Sequence, residues 1–143
     1  MSAKTYNVAQ VSLVFGGIPL DSGFGKDTVF VIEPEGELWG DVKGADGEVC
    51  RYATNEKRFT LTVKLLQSSE KNAVLSALVL AGQLAGNGSD VGSVLLKDQN
   101  GTSTLAAGTC WIAGLPTQEF GVETGEREWK IRGVWDLVVV GGN

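Results

Sequence analysis

The sequence contains no histidine, and only two cysteines, one methionine and three prolines among 143 residues. Without histidine the chain lacks the usual general base, the usual proton shuttle and the commonest metal ligand, so classical catalytic triads are excluded. A zinc site would need an unusual set of cysteines and carboxylates. No catalytic, cofactor or metal residues are therefore assigned. The start, Met1-Ser2-Ala3-Lys4-Thr5, shows no basic and apolar leader, which points to synthesis in the cytoplasm. Cys50 and Cys110 are accordingly expected as reduced thiols rather than as a bridge. Long apolar runs are missing too. The longest, Ala73 to Ala85, is broken by Ser76, Gly82 and Gln83 and is too short to span a bilayer, so no membrane anchoring is expected.

Positive charge is scarce where the acids gather. Residues 21–56 hold nine acids (Asp21, Asp27, Glu33, Glu35, Glu37, Asp41, Asp46, Glu48 and Glu56) against Lys26, Lys43 and Arg51, a local charge of −6 in a chain of −5 overall. Such a surface repels phosphate, so the chain is not expected to grip nucleic acid.

What is present is period-two alternation punctuated by 20 glycines. Strands are predicted over residues 11–15, 28–33, 38–43, 48–53, 59–65, 93–98, 102–113 and 128–139. The pair 38–43 and 48–53 flanks Gly44-Ala45-Asp46-Gly47 and reads as a hairpin, as does the pair joined at Asn100-Gly101. In the last strand Trp129, Ile131, Gly133, Trp135, Leu137 and Val139 share one face. One helix is predicted over about residues 70–84, capped by Ser68 or Ser69 with Glu70 in its first turn. Asn72, Ser76 and Gln83 form a narrow polar stripe, and nearly all the remaining circumference is apolar, more than one sheet covers. Val74, Leu75, Leu78 and Val79 are the positions expected to meet a second subunit. The fold class is mainly β, a β-barrel or sandwich with one flanking α-helix, in a single domain over residues 1–143.

Candidate chemical motifs dissolve. Gly86-Asn87-Gly88 follows a helix and precedes a strand, the reverse of a phosphate-binding loop. Gly25-Lys26-Asp27 lacks the upstream glycine and the hydroxyl residue of a P-loop. Glu33, Glu35 and Glu37 read as a solvated acidic face before they read as a sugar-hydrolysing or metal-binding cluster.

Five blocks in order carry a resemblance: Gly44 to Val49 (GADGEV), Leu65 to Leu78 (LLQSSEKNAVLSAL), Lys97 to Thr102 (KDQNGT), Gly125 to Arg132 (GEREWKIR) and Val140 to Asn143 (VGGN). Together they resemble the tail tube proteins of contractile-tailed bacteriophages, related in fold to the tube proteins of type VI secretion systems. The resemblance implies a virion structural protein of the tail, assembled in the host cytoplasm as homohexameric rings that stack into a hollow tube. It implies as partners the tail sheath protein and the baseplate and tail-terminator proteins, with DNA passing through the lumen and no cofactor. In that setting Asp27, Glu33 and Glu35 are expected to line the lumen. The hairpin bearing Trp39, Asp41, Lys43, Asp46 and Glu48 is expected to stack one ring on the next. A tube subunit of a secretion machine and a soluble ligand-binding β-barrel are the alternative readings.

Overall fold

Alternating side chains put one row of each strand on a shared core. The computed structural model describes residues 3–142; Met1, Ser2 and Asn143, the last of which closes the Val140 to Asn143 block, lie outside the described residues. In chain order the strands are β1 (Val11–Phe15), β2 (Ile18–Pro19), β3 (Phe30–Pro34), β4 (Trp39–Lys43), β5 (Val49–Ala53) and β6 (Arg58–Leu66). The helix α1 (Lys71–Ala85) follows, then β7 (Gly92–Asp98), β8 (Thr104–Gly114), β9 (Glu126–Val134) and β10 (Leu137–Val139). Among the described residues the fold is mainly β with one α-helix, as the alternation implies.

Eight strands form one antiparallel sheet in the order β2-β1-β7-β8-β9-β6-β3, with β10 beside the first half of β8. Its inner face supplies Leu13, Phe15, Phe59, Leu61, Val63, Leu65, Val94, Leu96, Leu105, Trp129 and Ile131 to a single cluster. The sheet curls until β3 faces β1 and β7 across a cavity of about 380 Å³ lined by Val11, Phe30, Ile32 and Leu96. Only β4 and β5 stand apart, as a two-stranded sheet of their own.

The expected unbroken last strand has a corner in it. β9 and β10 pair with β8 in one register, Thr109 opposite Val134 and Ala106 opposite Leu137, yet the inward side changes between them. Along β8 the buried positions run Leu105, Ala107, then Cys110. Asp136 marks the break: its backbone N–H donates to Ala106 O at 2.8 Å, and its carboxylate accepts from Gly108 N–H at 2.8 Å. Past this point Leu137 and Val139 turn outward instead of continuing the face of Trp129 and Ile131.

The helix begins at Lys71, one residue later than expected. Glu70 occupies the N-cap in helical conformation with no side-chain cap of its own, and Ser69 Oγ accepts from Lys71 N–H at 3.3 Å. At the other end Gly86 adopts φ 62°, a left-handed conformation that glycine reaches without steric cost, and its N–H closes on Gly82 O at 2.9 Å.

The helix docks on the sheet through a polar keystone as well as through Leu75. Trp129 is buried, and its indole N–H donates to Asn72 Oδ1 at 2.9 Å. Asn72 Nδ2 in turn donates to the carbonyls of Leu66 and Ser69 at 2.9 and 3.1 Å. This member of the narrow polar stripe thus ties β9, the end of β6 and the start of the helix together.

Candidate functional site

The β4–β5 hairpin has no core under it. Every one of its strand residues is exposed except Gly40, which is half-buried. Its register places Trp39, Asp41, Lys43, Val49, Arg51 and Ala53 on one side, and Gly40, Val42, Cys50 and Tyr52 on the other. On the first side the Arg51 guanidinium lies 3.8 Å from the centroid of the Trp39 ring, a cation–π contact. The second side carries no charge. There the Tyr52 ring lies over Gly40, which has no Cβ to obstruct it. The tip turns as its Asp-Gly pair suggests: Gly47 N–H donates to Gly44 O at 3.0 Å, and Asp46 Oδ1 accepts from Glu48 N–H at 3.0 Å.

Sequence reading singled out Trp39, Asp41, Lys43, Asp46 and Glu48, which lie on the charged side and at the tip. It passed over the uncharged side of Val42, Cys50 and Tyr52. The signal for it was already present, because two runs that alternate across a tight turn define both sides of a hairpin. At the base, Arg58 holds Glu56 in a two-pronged ion pair at 2.8 and 2.9 Å, and this bond pulls the Glu56 carboxyl down to about 2.

On α1 the outward face is not the one expected. Leu75 is fully buried, and Leu78 and Val79 are partly buried against the core, so these three belong to the subunit's own packing. Of the expected contact residues only Val74 is exposed. The outward apolar stripe is Ala73, Val74, Ala77, Leu80, Ala81 and Leu84, with Leu80 57% and Leu84 80% exposed. A surplus apolar face is present, rotated from the predicted one. Apolarity on nearly every side left the sequence without a signal for which side faces in.

The acids divide in a similar way. Glu33 lies opposite Thr60, and Thr60 opposite Arg132, so all three share the outer face of β3, β6 and β9. Glu35 joins them, accepting from the Thr60 hydroxyl and lying 3.4 Å from Arg132. Lys64, Glu128 and Lys130 complete the face by register. The wall around Glu33 and Glu35 therefore carries interleaved charges rather than acids alone. This corrects the purely negative reading, whose compensating bases arrive from strands far along the chain. Asp27 precedes β3 and lines the cavity at the seam together with Asp98, at the opposite end of the strand from Glu33 and Glu35.

A second cleft, of about 610 Å³, lies beside Leu115, Pro116 and Glu119 and is lined by charged side chains that include Lys64, Arg127 and Lys130. Among the described residues no group of three or more cysteines, aspartates and glutamates is placed to hold a metal ion. The two thiols differ sharply. Cys110 is buried, and desolvation pushes it up to about 11, whereas Cys50 is exposed on the uncharged side of the hairpin.

No family model matches the sequence. The chain is 28% identical over 145 residues to structural protein ORF10 of Pseudomonas phage KPP10, a similarity that covers 98% of this chain and 84% of that protein. Its fold matches the cryo-EM structure of the anti-feeding prophage cap, the AFP tube terminating cap, with a TM-score of 0.62 at 12% identity. That match covers 94% of this chain and 90% of the cap chain. The chain is thus similar to a phage structural protein along nearly its whole length, and shares its fold with a prophage tube-terminating cap.

Proposed function

We propose that this chain is a structural subunit of a phage tail, forming homohexameric rings that stack into the tube of a contractile tail. The observation that carries this reading is the β4–β5 hairpin. An isolated two-stranded hairpin is marginal in water, yet this one leaves Val42, Val49, Tyr52 and Trp39 about half exposed or more. Its natural state is one in which another surface covers it, and a stacked ring provides such a surface. The similarity to a phage structural protein supports the same reading.

In this arrangement the outer face of β3, β6 and β9 lines the lumen. Glu33 and Glu35 stand there beside Arg132, and with Glu128 these acids match Lys64, Lys130 and Arg132 in number, so phosphates passing through find little net charge to hold them. The sheath packs outside, and baseplate and terminator proteins close the ends. The tail is assembled in the host cytoplasm and functions in the virion, without cofactor or turnover.

Cys50 gives a direct test, because it lies on the side of the hairpin that stacking would cover. In dissociated subunits Cys50 is expected to react with a maleimide while the buried Cys110 stays unlabelled. In assembled particles Cys50 labelling is expected to fall at least tenfold. Equal labelling in both states would count against stacking through the hairpin.

A further inference from the structure

Besides the hairpin, two of the exposed apolar surfaces among the described residues lie on regular elements of the subunit. One is the outward stripe of α1, where Ala73, Ala77 and Ala81 form a low ridge flanked by Val74, Leu80 and Leu84. Lys71 is the only charged residue in the whole helix. The other follows from strand register. Val14 lies opposite Leu95, Leu95 opposite Ala106, and Ala106 opposite Leu137, so a row of apolar side chains crosses β1, β7, β8 and β10 on the outer face. Val14, Leu95, Leu137 and Val139 are all exposed, and Leu95 and Leu137 by about half. The corner at Asp136 creates this row by turning Leu137 and Val139 outward.

We infer that copies of this chain meet head to tail, with the outward face of α1 in one copy packed across the Val14–Leu95–Ala106–Leu137 row of the next. This rests on the ring reading above and names the two surfaces that close the ring. Each face lacks a partner in its own subunit, and the two differ in shape and lie on different elements. Pairing them covers both at once, while a helix-to-helix contact would leave the sheet row in water. The dimensions agree. Fifteen residues give a helix about 22 Å long, and four strands at roughly 4.8 Å spacing give a row about 14 Å wide for it to cross. Alanines spaced four apart allow the helix to approach the sheet closely.

A strip about 22 Å by 10 Å is well below the roughly 800 Å² per partner of a standard stable interface. Paired dimers are therefore not expected to persist. Unlike patches repeated around an axis form a closed ring, in which every copy makes the contact twice.

Cross-linking decides the matter. Ala77→Cys and Leu95→Cys are introduced separately, each with Cys50→Ser, and both substitutions sit on exposed positions of the subunit. The two proteins are mixed under conditions where light scattering shows assembly, and treated with a short bismaleimide. Cross-linked dimers are expected in the mixture and not in either protein alone. Dimers from the Ala77→Cys protein alone would establish a helix-to-helix contact and overturn the inference. Assembled particles without mixed dimers would overturn it while leaving ring formation standing. Wild-type protein that stays monomeric at every concentration would remove the ring reading itself. As an independent check, Leu80→Asp should raise the concentration needed for assembly at least tenfold with an unchanged circular dichroism spectrum. Unchanged assembly would count against α1 as a contact.

Discussion

A chain carrying Val42→Asp and Tyr52→Asp is expected to fold normally and to form no tubes. Both residues lie about half exposed on the uncharged side of the hairpin, where Tyr52 covers only Gly40 of its own hairpin. In the free subunit the new carboxylates stay in water, so stability should change by no more than about 0.5 kcal/mol. In a stacked tube they would be taken out of water without a partner, at a cost of several kcal/mol each. Every 1.4 kcal/mol is a factor of ten in association, so the concentration needed for elongation should rise more than about 100-fold. Sedimentation and negative-stain microscopy would show single rings or monomers. Full-length tubes from this variant would mean that the hairpin stacks through its charged side or not at all.

The second large effect is on stability. Asn72→Ala removes the acceptor for the Trp129 indole N–H and the donor to the carbonyls of Leu66 and Ser69. Trp129 is buried, and a buried donor left without a partner costs about 1–3 kcal/mol. Losing the two bonds at the start of the helix adds roughly 1 kcal/mol more. A total of about 3 kcal/mol is a large fraction of the 5–15 kcal/mol typical of a domain, and corresponds to a fall in Tm of roughly 10 °C. Asn72→Asp keeps the acceptor for Trp129 but sets a carboxylate oxygen against the carbonyls of Leu66 and Ser69, so it should not recover the stability of wild type. Calorimetry on the three proteins checks this. A shift under 2 °C for Asn72→Ala would show that water replaces the side chain.

The fold was legible wherever a local pattern determined it. Alternation from Phe59 to Leu65 located β6 to within a residue, and Asp46-Gly47 located the hairpin turn. Long-range pairing was not legible. Nothing near Glu33 and Glu35 announces that Arg132 will stand across Thr60 from them, about a hundred residues later, so the local acid count overstated the negative charge of that wall. The face of α1 was hidden for the opposite reason. A helix apolar on nearly every side carries no phase, and it is the packing of Leu75, Leu78 and Val79 with the Asn72–Trp129 hydrogen bond that sets which side points in. The corner at Asp136 depends on a carboxylate bonding the backbone of a neighbouring strand at Gly108, a feature that alternation alone does not contain.

Self-assembly is the claim on which the rest depends, and electron microscopy of the purified wild-type protein over a range of concentrations tests it most directly. Hexameric rings that lengthen into hollow tubes as concentration rises are expected, with the hairpin of each ring seated on the next. Rings that never stack would place the protein at a tube end. Particles that remain monomeric at the highest soluble concentration would rule out self-assembly.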